Sequence, residues 1–299
     1  MPCDGPRSST SGFTVVGRPV PRRSSSRRGT MRAIDCREPD SLASVGTTTM
    51  IYISIPAHNE AATLGAVLWK VRRVMAEFER DYEIVVFDDA SSDSTPEVLA
   101  RYEKQLPLRV LRSDQRVGYG PAIERLMRDA VERSPYPKRD VVVTLQADFT
   151  EDPADLVPMI KAIEGGADLV SGHVEERDVT LPRKRRICDW VARRVLLAGT
   201  VRGAPVKDPL SGLRAYRVIV LKKAFRTEAG PELLQATEGG AASLALLSIT
   251  APFARRIEDA PYRLRYAHRQ RASRFEPVPE LKALLPFRRL RWSPAEERA

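Results

Sequence analysis

VVVTLQADFTEDP, residues 141–153, decides which fold this chain can adopt. A short apolar run, Val141 to Leu145, stops abruptly at two side chains that carry oxygen ligands, Gln146 and Asp148. Such a run has the length of one buried strand, and polar side chains that end it sit where open α/β sheets bind ligands, outside the carboxyl ends of their strands. Mg2+ or Mn2+ is normally held by one or two carboxylates together with substrate phosphates. Gln146 and Asp148 are therefore candidate ligands of a divalent ion shared with a diphosphate. The competing explanation is a strand end that leads into a helix cap, and Asp152-Pro153 has the chemistry of a cap.

Two further strand ends have the same character. Residues 50–55, MIYISI, run into Pro56-Ala57-His58-Asn59-Glu60, and residues 83–87, EIVVF, run into Asp88-Asp89-Ala90-Ser91-Ser92-Asp93-Ser94-Thr95. With these three motifs in this order the chain resembles the family 2 glycosyltransferases, in which PAxNE is followed by DDxSxDxT and a DxD-type metal motif. The subgroup it resembles most is the dolichol-phosphate and polyprenyl-phosphate hexosyltransferases. The resemblance spans residues 50–220 well and 221–275 loosely.

The resemblance implies a single α/β domain of the GT-A type that binds a nucleotide sugar, with a mostly parallel central sheet and helices on both faces. It implies that Pro56, Ala57, Asn59, Glu60, Asp88, Asp89, Asp93, Gly118 and Ala147 border the donor, and that Gln146 and Asp148 hold Mg2+ or Mn2+. Gln146 departs from the Asp usual at that position, so Asp148 should dominate. His58 is expected to be structural. Asp93 and Ser91 have an equally good structural use, as turn residues bonding their own backbone. The loop Asp208-Pro209-Leu210-Ser211-Gly212-Leu213-Arg214-Ala215-Tyr216-Arg217 resembles the family's segment between metal motif and acceptor. It would bring Ser211, Arg214 and Arg217 to an acceptor phosphate, since arginine suits bidentate phosphate contacts, unless Gly212 and Tyr216 only shape a return into a strand. The segment Arg269–Arg274 matches the subgroup's basic end weakly, with Ala272 and Arg274 as departures. Expected catalytic residues are Asp148, Asp208 and Arg214; as a general base, Asp208, Glu232 and Asp259 are equally open. An acceptor phosphate is already anionic at neutral pH and needs no such base.

The chain has 299 residues, 42% hydrophobic and 29% charged, enough for one sizeable core. Its three cysteines, Cys3, Cys36 and Cys188, lack metal-type spacing and point to a reducing, cytoplasmic setting. The longest weakly polar stretch, Ala241–Ala251, is much shorter than the roughly 20 residues of a spanning helix. A net charge of +10 and a pI near 9.8 call for an anionic partner. Nucleic acid is not expected, because aromatic residues are sparse and are not interleaved with the arginines. A sugar-phosphate nucleotidyltransferase is disfavoured, since its Gly-rich opening is absent where PAHNE stands. An inactive carbohydrate-binding relative stays open because of Gln146.

Residues 1–49 carry eight arginines against four acidic residues in a Ser/Pro/Arg-rich setting. That composition predicts a disordered basic segment, or an upstream start site, since Met50 directly precedes the first strand. The catalytic domain is expected over 50–275, with a nucleotide-sugar half at 50–180 and an acceptor half at 181–275. A basic amphipathic tail should follow at 276–299, its last seven residues frayed. Helices are expected at about 61–79, after Ser94-Thr95-Pro96 with Ser94 or Thr95 as cap, over 118–131 and over 153–164, and strands at 108–111 and 168–171. The turn Arg116–Gly120 would let backbone amides approach an anion. In Arg183–Val195, the residues Ile187, Trp190, Val191 and Val195 share a helical face flanked by Arg185, Arg186, Arg193 and Arg194. That is the pattern of an interfacial helix on an anionic membrane, with peripheral attachment at the inner face of the cytoplasmic membrane, or of an ordinary helix packed on the sheet.

Overall fold

A computed structural model of the chain describes residues 49–177, 183–226, 234, 239–265 and 276–292. The expected disordered segment, apart from its last residue, lies outside these residues, as do Glu232, Arg269–Arg274 and the last seven residues. Seven strands form one sheet: β1 (Ile51–Ala57), β2 (Tyr82–Asp89), β3 (Leu108–Ser113), β4 (Val141–Thr144), β5 (Leu169–Arg177), β6 (Arg214–Arg217) and β7 (Ile257–Leu264). Their order is β3-β2-β1-β4-β6-β5-β7, and only β6 runs against its neighbours.

β1 lies near the middle with helices over both faces, so nearly all its residues are buried. Its pleat sends alternate side chains to two cores. Ile51, Ile53 and Ile55 join Val141 and Val143 under α1 (Ala61–Phe78) and α4 (Leu156–Glu164). Tyr52, Val85 and Val142 face α3 (Tyr119–Arg133), α7 (Val218–Ala224) and α8 (Gly239–Thr250). On α1 the buried residues Leu64, Val67, Leu68, Val71 and Met75 recur at three and four, each contributing about 1.5–3 kcal/mol through burial. The stretch at 241–251 is mostly α8, whose residues are buried on nearly every side.

Several elements differ from expectation. β5 extends to Arg177 because β7 pairs with it along its length. β7 was not anticipated, although Ala260 and Tyr262 alternate with exposed Pro261 and Arg263. α2 (Thr95–Tyr102) has Pro96 in its first turn and Ser94 at its N-cap position as expected, but the Ser94 side chain makes no capping hydrogen bond. Asp93 Oδ1 accepts from the Thr95 amide at 3.0 Å and the Thr95 hydroxyl at 2.5 Å. Asp152 does cap the turn at Pro153, accepting from the Ala154 amide at 2.9 Å.

In the second half, α5 (Arg183–Val191) continues into a π-helical turn, Ala192–Leu196, and α6 (Ala198–Arg202) follows. α9 (Pro277–Leu284) and a 3-10 turn, Leu285–Arg289, pack onto the body instead of trailing away. Leu284 and Phe287 are buried, the Thr200 hydroxyl donates to the Phe287 carbonyl at 2.7 Å, and the Trp292 indole donates to the Thr200 carbonyl at 2.8 Å. Among the described residues no helix is long and apolar enough to cross a membrane.

Candidate functional site

The parallel register aligns Ala57, Asp88 and Arg112 in one row at the carboxyl ends of β1, β2 and β3. Asp88 is fully buried. Its Oδ1 accepts from the Ser91 amide at 3.1 Å. Its Oδ2 lies 3.4 Å from Arg112 Nε yet has no hydrogen-bond donor among the described residues. A buried carboxylate oxygen in that condition is an acceptor awaiting a donor.

The rest of the first two motifs builds the edge on which Asp88 sits. Asn59 adopts a positive φ of 52°, its amide donates to Ser91 Oγ at 2.9 Å, and its Oδ1 accepts from the Ser92 amide at 2.7 Å. Glu60's amide donates to Thr95 Oγ1 at 2.9 Å and Ala61's amide to Asp93 Oδ2 at 3.1 Å. Asp93 thus fastens the starts of α1 and α2 together. Burial works to raise its pKa, but the bonds from Thr95 and Ala61 outweigh it and hold the carboxyl below its ordinary value. Asn59 and Asp93 thus build the scaffold of this edge. His58 Nδ1 lies 2.6 Å from the Asp89 carbonyl, a structural contact.

Asp89 and Gly118 bond each other. Both Asp89 oxygens are occupied, accepting from the amides of Val117 at 2.6 Å and Gly118 at 2.9 Å. The anion that the turn before α3 approaches is Asp89 itself. Gly118 has φ 93°, which an L side chain adopts only with strain, so glycine is needed there for the turn.

At the end of β4, Asp148 Oδ1 accepts from the Thr150 hydroxyl at 2.6 Å and the Thr150 amide at 3.2 Å. The chain turns sharply through Phe149, φ 61°, a conformation that needs such support. Ala147 contributes its carbonyl to the Thr63 hydroxyl at 2.9 Å, and the same hydroxyl lies 3.3 Å from Glu60 Oε2. These bonds tie the PAHNE turn to the metal motif. Gln146 directs Nε2 to the Tyr119 hydroxyl at 2.8 Å, so its amide nitrogen is committed and its carbonyl is the oxygen it could lend to a cation. A Cβ on Gly212 would lie 2.8 Å from Gln146 Nε2, so glycine is what lets the 208–213 loop close on this side chain.

Glu151 is the residue that sequence reasoning missed. It is buried, its Oε2 accepts from the Gln146 amide at 3.0 Å, and its pKa is pushed up to about 8. Burial is the largest cause; Asp148 and Asp155 add to it, and the Gln146 amide opposes it. Asp155 is likewise pushed up to about 6 by burial and by Asp152. The signal was present in four acids, Asp148, Glu151, Asp152 and Asp155, crowded into eight residues, since like charges so close cannot all ionise freely. Arg265 pins this acidic loop from the end of β7, its amide donating to the Thr150 carbonyl at 2.8 Å and its guanidinium meeting Asp152 Oδ2 at 2.6 Å. Burial and Glu151's charge also raise the pKa of Tyr119 and Tyr262.

The acceptor-side expectations fare differently. Ser211 is buried beside Tyr262, within the loop that closes on Gln146. Arg214 is 1% exposed and acts as a strut: Nε donates to Ser171 Oγ at 3.2 Å, Nη2 to the Pro209 carbonyl at 2.6 Å and Nη1 to the Ser243 carbonyl. Arg217 pairs opposite Val141, at the far end of β4 from Asp148. It bonds Asp168 Oδ1 at 3.0 Å and the carbonyls of Lys138, Ile163 and Ala167. Both arginines are bonded within the fold. Asp208 is held bidentately by Arg193 at 2.8 and 3.1 Å, and one oxygen of Asp259 accepts from the Lys207 amide at 3.0 Å, so both fasten parts of the fold.

Among the described residues no group of three or more His, Cys, Asp or Glu could hold a metal unaided. One carboxylate, Asp148, with the neutral carbonyl of Gln146 beside it, is a donor set that fits a Mg2+ or Mn2+ completed by a ligand's own phosphates.

Comparison with known proteins is consistent with this edge of the sheet. A dolichyl-phosphate hexose transferase of Haloferax volcanii is 32% identical over 161 residues, 54% of this chain and 63% of that one. A dolichol-phosphate mannosyltransferase of Pyrococcus furiosus is 27% identical over 178 residues, 58% of this chain and 47% of that one. The chain thus spans about half to under two thirds of the length of these relatives. The glucosyl-3-phosphoglycerate synthase of Mycobacterium tuberculosis, in complex with Mn2+, UDP-glucose and phosphoglyceric acid, shares the fold. Its TM-score is 0.52 at 23% identity, over 80% of this chain and 77% of that one. The sequence profile of glycosyl transferase family 2 matches residues 52–225, from β1 through the strut arginine to the end of α7, and the chain belongs to that family.

Proposed function

We propose that the protein transfers a hexose from a nucleotide-diphosphate sugar to a polyprenyl or dolichyl phosphate, with inversion at the sugar and with Mg2+ or Mn2+ at Asp148 and Gln146. The observation that carries this is the placing, on one edge of the sheet, of Asp88 Oδ2, buried near Arg112 but without a hydrogen-bond donor among the described residues, and of Asp148, at the ends of the two strands that flank β1. A base N–H would satisfy Asp88 with Pro56 and Ala57 alongside. Asp148, steadied by Thr150, would hold the cation with the donor's phosphates. The bound ion would supply positive charge to the departing diphosphate. Glu60 and Ala147, joined through Thr63, keep the two motifs in register.

The state of two other carboxylates supports a phosphate acceptor. Asp208 and Asp259 are engaged by Arg193 and Lys207, and a lipid phosphate needs no base. The curated relatives named above act, by name, on dolichyl phosphates. An acceptor of that kind would bring the enzyme to the inner face of the cytoplasmic membrane as a peripheral protein. A hydroxyl acceptor, such as a cell-envelope glycan, is the alternative. Glu151 favours it, because a carboxyl with a pKa near 8 at the site has the proton affinity of a general base.

A panel of UDP-, GDP- and dTDP-sugars, assayed for nucleoside diphosphate release with and without Mn2+, tests both. We expect release that requires the cation and polyprenyl phosphate and that survives Glu151→Gln. Release that requires a glycan hydroxyl and vanishes in Glu151→Gln would overturn the lipid-phosphate acceptor in favour of the alternative.

A further inference from the structure

Seven large apolar side chains are exposed among the described residues, and their distribution is uneven. Trp69 and Tyr136 are isolated and carry Arg73 and Arg139 over their rings. The other five, Ile187, Trp190, Val195, Val278 and Leu285, lie on two elements, residues 183–196 and 277–289. These elements touch, with Cys188 Sγ 3.8 Å from the Pro277 carbonyl. Each is fastened by its inner side, through Cys188 and Ala192 in one and Leu284 and Phe287 in the other, so the outward side chains stand on a fixed base.

Their neighbours are cationic. Val278 and Lys282 lie four residues apart on α9, and exposed Leu285, Arg288 and Arg289 follow in the 3-10 turn, so apolar and basic side chains alternate along this element. Lys282, Leu285, Pro286, Arg288 and Arg289 line an open groove of about 460 Å³. Ile187 and Trp190 are flanked by exposed Lys184, Arg186 and Arg194. Arg193 does not belong to this side, being paired with Asp208. Glu280 is turned inward, its Oε1 within 2.8 Å of where a Cβ on Gly239 would stand, and Glu276 is an exposed acid at the margin. Aromatic and aliphatic side chains set among cations match the boundary of an anionic bilayer, where the apolar groups enter the acyl region and the cations meet phosphates.

We propose that residues 183–196 and 277–289 together form one docking surface for an anionic lipid membrane, in which the C-terminal element is as necessary as α5. This rests on the lipid-phosphate acceptor proposed above. The surface also adjoins the site: Arg193, on the docking element, grips Asp208 at the head of the loop whose Gly212 closes on Gln146.

The test is sedimentation of the full chain with vesicles of phosphatidylcholine alone or mixed with phosphatidylglycerol, at low and high salt. Wild type should bind only the anionic vesicles, and binding should fall as salt rises, because exposed charges are screened over roughly 8–10 Å. Val278→Ser with Leu285→Ser, and separately Lys282, Arg288 and Arg289→Gln, should each weaken partitioning about tenfold or more, as should Ile187→Ser with Trp190→Ser. All these positions are exposed, and unchanged melting would confirm that the fold survives. Binding that is lost in the Ile187/Trp190 variant but intact in both C-terminal variants would overturn the shared surface. So would a dimer of the wild type that the Val278/Leu285 variant dissociates, which would make this side an interface between copies. Transfer to a short, detergent-dispersed polyprenyl phosphate separates the two ideas. Transfer without vesicle binding refutes the docking surface alone, whereas vesicle binding without transfer to any lipid phosphate refutes the acceptor and leaves the surface standing.

Discussion

The two halves of the sheet use their polar side chains in opposite ways. On the β1–β4 side, Asn59, Ser91, Asp93, Thr95 and Asp89 bond one another and nearby amides, and the network they form presents Asp88 and Asp148 at the edge. On the β5–β7 side the conspicuous residues are cations, and they are drawn inward: Arg214 to carbonyls and a hydroxyl, Arg217 to Asp168, Arg193 to Asp208. A motif residue of the first half is near the chemistry even when it touches no ligand. The arginines of the second half spend their donors on internal bonds, although arginine is the residue type expected to meet a phosphate. A guanidinium has five donors, and acceptors from several elements converge on two of them: Pro209, Ser171 and Ser243 on Arg214, and Asp168, Lys138, Ile163 and Ala167 on Arg217.

The largest expected contrast comes from Asp148→Ala. Loss of about 3 kcal/mol of transition-state stabilisation should cut turnover by about 10²-fold or more while the melting temperature stays near wild type. Wild-type turnover with unchanged metal dependence would remove Asp148 from the site. Arg214→Met should do the reverse. Leaving three buried acceptors without their donor should cost about 3 kcal/mol of stability, or about 6–12 °C in melting temperature. If the protein instead melts normally and only KM for the acceptor rises, Arg214 is a phosphate ligand after all and the comparison between the halves fails.

Glu151→Gln gives a smaller, pH-dependent effect. The folded-state pKa of Glu151, about 8, lies above its ordinary value near 4.5, so its stabilising contribution is complete below pH 4.5 and is lost as pH rises through 8. Gln keeps an oxygen for the Gln146 amide and has no proton to lose. The variant should therefore match wild type near pH 5 and exceed it by about 1 kcal/mol or more at pH 8, about 2–4 °C in melting curves recorded without metal. A difference that does not grow with pH would show that Glu151 is ionised in the folded protein throughout.

The sequence alone determined where β1, β2 and β4 end, the order of the motifs and the place of Asp148 just beyond β4. Buried apolar runs that stop at polar clusters are local features, and a parallel sheet has one place to put them. Even the cap at Asp152 was legible, because its partner is two residues away. What only the tertiary structure decided is which polar groups are already satisfied. Asp89 finds amides at Val117 and Gly118, Asp208 finds Arg193, and Arg217 finds Asp168, across separations of 15 to 49 residues. Glu151's raised pKa depends in the same way on burial, which no window of sequence contains. Residue type announces what a side chain could bind, but long-range packing assigns its partners, because a buried polar group needs a hydrogen-bond partner and only those the fold leaves short, such as Asp88 Oδ2, stay open to a ligand.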